Sequence, residues 1–304
     1  MGRDTAGLRH AAFVYEDEDE YVDRSVSFLR AGLAAGEAAV VAHTRPGLAL
    51  VRDALGPDAA EVTFVDVSDA YTRPARTLAS YHEVYVRELR RAPAVRAVAD
   101  VQFGPDLDEW GLWAGYEAAF TRSFAHLPAW VLCSYAGASL PDRIRADVAR
   151  THPEMVSGSG AGPSPTYEEP ERVLRQLRPG PRSLPGLRPI PVAGGAEAFR
   201  EHLARAMVLD GVPPARAVDM LLASTEVFVN GERHGGGVVR ARGGRADGRF
   251  VCEIVDRGRG FDDPLAGYLA PRPGRGAGLW VARQLTWQID LFRAVDGFTV
   301  RVWL

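Results

Sequence analysis

Apolar residues alternate along this chain between short continuous runs and longer stretches in which they return every three or four positions. Residues 9–15 (Arg-His-Ala-Ala-Phe-Val-Tyr) form the first run and read as a strand. From Tyr21 to Leu33 the spacing becomes helical, with Val22, Val26, Leu29 and Leu33 on one face, and Gly36 suits the helix stop. Ala38–Ala42 is again a short buried run. The pattern repeats as a helix at 46–55, a strand at 61–67, a helix at 75–91, a strand at 95–103, a helix around 109–126 and a strand at 129–135. Strands alternating with helices imply parallel βαβ units, and so an α/β domain whose sheet is covered on both faces.

Beyond this the texture changes. Residues 157–165, Ser-Gly-Ser-Gly-Ala-Gly-Pro-Ser-Pro, read as a flexible loop, and Tyr167–Leu177 as the last helix of the domain. The stretch from Arg178 to Gly195, rich in Pro, Gly and Arg, reads as a linker. The first domain is therefore expected over 8–177 and the second over 196–304. In the second, a helix at 196–210 carries Phe199, Leu203 and Met207 on one face, and Pro213-Pro214 opens a helix at 214–232. Strands at 236–242 and 249–256 flank Gly243-Gly-Arg-Ala-Asp-Gly248, which reads as a hairpin loop. A short helix near Gly278 and strands at 287–294 and 298–304 complete an α+β sandwich, helices over a largely antiparallel sheet.

Composition narrows the function classes. At 304 residues the chain suits two domains, and 46% apolar with 25% charged residues is ordinary for a globular protein. A net charge of −3 argues against direct nucleic-acid or anionic-membrane binding. All 36 basic residues are Arg, so a Schiff-base lysine, a lysine general base and a Walker-A lysine are excluded. Cys133 and Cys252 sit in apolar runs and read as buried strand thiols, against a disulfide framework or a cysteine zinc site. Residues 1–6 lack a signal-peptide core, and no apolar run approaches the roughly 18–20 residues of a membrane span. A cytoplasmic protein is expected. The acidic run Glu16–Glu20 reads as a solvated helix entry, and His10, His43, His82 and His126 as packed or solvent-facing side chains. Trp110, Trp113, Tyr116 and Phe120 recur at helical spacing, as core residues do.

The candidate chemistry lies between Glu226 and Leu279. Leu222, Glu226, Asn230 and His234 are four apart on one helix, so three polar groups share a stripe within an otherwise apolar neighbourhood. A carboxylate and a carboxamide one turn apart suit Mg²⁺ binding and orientation of a hydroxyl or water. Asp256, closing a strand, can accept a hydrogen bond from an adenine amine, while Gly258 and Gly260 let the backbone pass close to the base. Gly274, Gly276 and Gly278 lead into a helix whose N–H groups favour phosphate, with Arg272 and Arg275 beside them.

In this order the three patches resemble the boxes of the GHKL (Bergerat-fold) ATPases: Glu226, Asn230, His234 and Gly235 the N box, Asp256-x-Gly258-x-Gly260 the G1 box, and Gly274-x-Gly276-x-Gly278, followed by Leu279, the G2 box. Within that superfamily the compact domain, with a short lid between Phe261 and Gly274, is similar to the RsbW-type anti-sigma factor serine kinases. That resemblance implies ATP and Mg²⁺ as cofactors, Glu226 as general base, Asn230 as the Mg²⁺ ligand, Asp256 on adenine, and the glycines with Arg275 on phosphates. It implies a STAS-type anti-sigma antagonist and a sigma factor as partners, and a homodimer. A nucleotide-gated switch without catalysis and a histidine-kinase-like transmitter are the alternatives. His202, in Phe199-Arg-Glu-His202, lacks the acidic-Leu-Arg-Thr-Pro continuation of a phosphoacceptor. Gly231 stands where the family has Ala after Asn230 and is expected to mark an early helix end.

The first domain resembles the MEDS sensory domain through Gly32-Leu-Ala-Ala-Gly36-Glu37-Ala-Ala-Val-Val, His10–Tyr15 and Leu132-Cys133-Ser-Tyr135. The family is related to the RecA/KaiC-like ATPases, whose parallel sheet it is expected to share in degenerate form. In those ATPases a phosphate loop follows the strand after the Gly-Glu pair. Here that place reads His43-Thr-Arg-Pro-Gly47, without Gly-Lys-Ser/Thr. The resemblance implies sensing of an unidentified ligand without ATP hydrolysis.

Overall fold

The computed structural model describes residues 7–68, 71, 73–101, 109–158, 160–271 and 276–304. The chain forms two compact units that divide chiefly at Val173/Leu174.

The first unit is built around strands β1 (Leu8–Tyr15), β2 (Ala38–His43), β3 (Val62–Asp66), β4 (Val95–Asp100), β5 (Ala129–Ala136), β6 (Glu154–Ser157) and β7 (Gly160–Pro163), in the order β3-β2-β4-β5-β1-β6-β7. All pairings are parallel except β6 with β7. The helices are α1 (Glu18–Ala34), α2 (Arg45–Leu55), α3 (Pro74–Glu88), α4 (Trp110–Phe124), α5 (Asp142–Thr151) and α6 (Pro170–Leu177). Two-residue alternation splits the central strands between two layers. Ala11, Phe13, Val98 and Leu132 pack with Val26, Leu29 and Val51, while His10 and Cys133 face the other way. The α4 aromatics are core: Trp113, Tyr116 and Phe120 are buried, and Phe120 stacks on Phe124 at 4.1 Å.

One expectation needs correction here. The Gly/Ser/Pro stretch at 157–165 is not a plain loop, because 160–163 pairs antiparallel with 154–157 and covers the β6 edge. The place after β2 differs from a phosphate cradle. A Cβ on Gly47 would meet the His43 ring at 2.3 Å, so that glycine admits an imidazole. At the other strand-to-helix turn, after β1, Asp17 caps α1 by accepting from the Glu20 N–H. Glu18, Asp19 and Glu20 fill its first turn, so side-chain carboxylates occupy the positive helix end.

The second unit is a five-stranded antiparallel sheet of order β11-β12-β10-β9-β8. Its strands are β8 (Arg188–Ile190), β9 (Val238–Ala246), β10 (Arg249–Asp256), β11 (Gln288–Ala294) and β12 (Gly297–Trp303), and its helices α7 (Gly195–Leu209), α8 (Pro214–His234) and α9 (Gly278–Leu285). Phe199, Leu203 and Met207 from α7, Met220, Val227 and Phe228 from α8 and Ala282 from α9 meet Phe250, Cys252, Ile254 and Val302 from the sheet in one core. The opposite face of β10 carries Val251, packed with Leu184, Leu187 and Trp303. Beside it lies Glu253, which accepts from Arg301 at 2.9 Å and Arg242 at 2.7 Å.

Residues 178–195, expected as a linker, belong partly to this sheet. β8 pairs with β9, and Leu184, Leu187 and Ile190 are buried. The same contact explains the Gly243-Gly244 pair, expected in a loop but found inside β9. A Cβ on Gly243 would meet Ile190 at 2.7 Å, and one on Gly244 would meet the Gly186 carbonyl at 2.4 Å. The turn is shorter, at Asp247-Gly248, both at positive φ (48° and 74°), as a two-residue hairpin requires.

Candidate functional site

The strand alternation that buries Phe250, Cys252 and Ile254 beneath α8 carries Asp256 to the same side, at the end of β10, where the pairing with β9 slips by one residue. Asp256 Oδ1 accepts the Gly258 N–H at 2.7 Å. Partial burial raises its carboxyl pKa, and that backbone hydrogen bond partly offsets the rise.

The end of α8 is shaped to meet this carboxylate. Gly231 does not end the helix, which runs to His234. Its role is close packing: a Cβ there would lie 2.8 Å from Val238 Cγ2 and 3.4 Å from Asp256 Cβ. At Gly235 a Cβ would stand 2.3 Å from Asp256 Cγ, and at Gly258 it would stand 2.9 Å from Asp256 Oδ1. The helix closes with Gly235 and Gly237 N–H groups on the Gly231 carbonyl, and Glu232 accepts from the Val238 N–H at 2.7 Å. Gly260, at φ +63°, lies against the Phe298 ring with no room for a side chain.

Above this floor lies a cavity of about 600 Å³. Asn230, Gly231 and His234 from α8, with the capping Gly235, wall one side, Asp256, Arg259, Gly260 and Phe261 another, and Gly276, Gly278 and Leu279 a third. Leu291, Phe298 and Val300 supply an apolar base. The volume lies within the roughly 300–1,000 Å³ of small-molecule sites. A nucleotide fits the donor set: a half-buried carboxylate for a base amine, an apolar shelf for the ring, and the start of α9 for phosphate oxygens.

The structure brings Asn230, His234, Asp256, Gly260, Gly276, Gly278 and Leu279 together around this space, with Gly235 and Gly258 packed on Asp256. Glu226 does not line the cavity; it is exposed one turn before Asn230, at the rim. It still meets the start of α9, since a Cβ on Gly278 would lie 2.5 Å from Glu226 Oε2 and 3.2 Å from Asn230 Nδ2. Gly274 and Arg275 lie outside the described residues, as does Arg272. His202 is half-buried within α7, the helix that also carries the core residues Phe199 and Leu203. The apolar shelf from β11 and β12 has no motif in the sequence, since Leu291, Phe298 and Val300 carry only a strand's alternation.

The first unit gathers polar side chains at the carboxyl ends of β1, β2 and β4, the end at which α/β sheets bind ligands. Tyr15 donates to Asp100 Oδ1 at 3.1 Å, and His43 Nε2 lies 3.4 Å from Asp100 Oδ2. Desolvation lowers the His43 pKa, against the opposing pull of Asp100.

Helices over an antiparallel sheet around a glycine-walled cavity define the second unit as an α+β ligand-binding domain, carried behind an α/β domain. Residues 194–303 match the family described as Histidine kinase-like ATPase domain, and residues 9–153 match MEDS, the MEthanogen/methylotroph, DcmR Sensory domain. The chain is a MEDS domain followed by a histidine kinase-like ATPase domain. No curated protein matches it. No helix among the described residues is long and apolar enough to cross a membrane.

Proposed function

We propose that the ATPase domain binds Mg-ATP and phosphorylates a Ser or Thr of a STAS-type anti-sigma antagonist, controlling sigma factor availability as RsbW-type kinases do. The observation behind this reading is the meeting at the start of α9, where Glu226 and Asn230 converge on the backbone of Gly278. A carboxylate and a carboxamide at a helix N-terminus put a proton acceptor and a cation ligand where phosphate is favoured.

Bound ATP would supply the phosphoryl group, and an accompanying Mg²⁺ would neutralise charge on the phosphates. Glu226, exposed at the rim, accepts or orients the hydroxyl proton of an incoming protein substrate. Asn230 would hold Mg²⁺ through its amide oxygen. Asp256 accepts from the adenine amine, and Leu291, Phe298 and Val300 support the ring. The glycines at 274, 276 and 278, with Arg275, hold phosphates, and His234 and Leu279 close the walls. The rate gain comes from positioning and preorganised dipoles. The MEDS domain, as a degenerate RecA/KaiC-like unit, binds a small ligand and biases partner choice by population shift, in a cytoplasmic homodimer.

The test is incubation of the full chain with γ-labelled Mg-ATP, with and without a STAS protein. Acid-stable label on the partner, lost in Glu226→Ala, supports the proposal. Binding without transfer makes the domain a nucleotide-gated switch, and acid-labile label on the chain itself makes it a histidine-kinase-like transmitter.

A further inference from the structure

The first unit buries a cluster that the nucleotide site does not use: His10 on β1, Glu117 on α4, Cys133 on β5 and His152 just after α5. One ligand atom from each lies within 4.8 Å of all the others, and all four side chains are buried. A hydrogen-bonded polar core is the plain alternative, and it leaves one atom unexplained. Glu117 Oε2 is buried and makes no hydrogen bond. His152 Nε2 at 3.5 Å and His10 Nε2 at 3.6 Å stand around it, beyond ordinary hydrogen-bond length. His10 Nε2 lies 3.2 Å from Cys133 Sγ.

These separations have another meaning. Ligands bonded at 2.0–2.3 Å to a tetrahedral ion stand roughly 3.3–3.8 Å from one another. The observed 3.2, 3.5 and 3.6 Å edges are close to those of such a tetrahedron before an ion draws it together. The far side of three of the four ligands is already held. His152 Nδ1 is 2.8 Å from the Val148 carbonyl, His10 Nδ1 is 2.9 Å from Thr121 Oγ1, and Tyr135 donates to Glu117 Oε1 at 2.9 Å. Such outer bonds fix the ring orientation and leave each Nε2 facing inward.

We propose that His10, Glu117, Cys133 and His152 form a closed four-ligand site for a divalent transition cation of the zinc type. Two neutral imidazoles, one carboxylate and one thiolate balance the ion's double charge, so the filled site is neutral where a net charge would be costly. Uptake forms four metal–ligand bonds and releases two protons, one from the carboxyl and one from the thiol. Nitrogen, oxygen and sulfur donors in a tetrahedron suit Zn²⁺ or Co²⁺ and not Mg²⁺. With every position filled by protein, the ion braces β1 and β5 against α4 and the end of α5 and has no open position for catalysis.

The probe is Co²⁺ titrated into the chelator-stripped full chain, followed by Zn²⁺. One equivalent of Co²⁺ is expected to give tetrahedral d–d bands and a thiolate-to-cobalt charge-transfer band, both abolished by Zn²⁺. Cys133→Ser removes the charge-transfer band. Tyr135→Phe keeps it and weakens Zn²⁺ binding about 10–100-fold through the loosened Glu117. A folded wild-type chain with no band at saturating Co²⁺, or a Cys133→Ser chain that retains the charge-transfer band, overturns the proposal. If Cys133→Ser does not fold, the wild-type stoichiometry and the Tyr135→Phe affinity decide it.

Discussion

Gly235→Ala is the most informative single change at the nucleotide cavity. Gly235 has an ordinary backbone (φ −94°), so Ala brings no conformational strain and gains about 0.4–1 kcal/mol from the stiffer unfolded chain. Its methyl would arrive 2.3 Å from Asp256 Cγ and 2.4 Å from Oδ2. Asp256 cannot simply turn away, because Oδ1 is tied to the Gly258 N–H and its strand is paired on both sides. Either α8 parts from β10 or the carboxylate leaves its position. Overpacking of this kind costs about 1–3 kcal/mol, so the net loss of stability is up to ~2.6 kcal/mol. Displacing the carboxylate forfeits a hydrogen bond involving a charged group, about 1.5–3 kcal/mol, or roughly 10–100-fold in ATP affinity. Calorimetric titration with ATP and a thermal melt read both effects. Gly180→Ala is the control, since nothing lies within 4 Å of its Cβ position and it does not line the cavity. Wild-type ATP affinity in Gly235→Ala would refute the assignment of Asp256 to the base.

Further outcomes follow from the same geometry. Glu226→Ala should lower phosphoryl transfer about 10²–10⁴-fold, while ATP binding, measured calorimetrically, changes little because Glu226 sits at the rim. Asp256 must be ionised to accept from the base, and its pKa is raised by burial. ATP affinity should therefore fall on acidification at a higher pH than for an ordinary carboxylate, and Asp256→Asn should lose that dependence along with the affinity. Phe228→Ala removes a fully buried ring stacked on Phe199 at 4.5 Å, and should cost about 3–5 kcal/mol in denaturant unfolding of the ATPase domain.

Much of this architecture was legible in the chain because it is local. The period of two in β10 buries Phe250, Cys252 and Ile254 and carries Asp256 to the helix side, and the period near four in α8 aligns Glu226, Asn230 and His234. Glycines were the least legible residues, since composition does not say whether a glycine bends the chain or lets something approach it. Gly243 and Gly244 look like a turn yet sit in a strand, because Ile190 and Gly186 from 53 and 58 residues away pack against them. Gly231 looks like a helix stop yet is the gap that lets Val238 and Asp256 come close.

The sequence alone thus determined the alternation of elements, the two fold classes and the alignment of Glu226, Asn230 and His234 along one helix, because backbone periodicity is a property of neighbouring residues. Only the tertiary structure decided that Glu226 stands at the rim while Asn230 lines the cavity, and that 188–190 joins the second sheet. It alone gathers His10, Glu117, Cys133 and His152, spread over 142 positions, within 4.8 Å of one another. Those relations are set by packing between elements distant in sequence, and no local period encodes them.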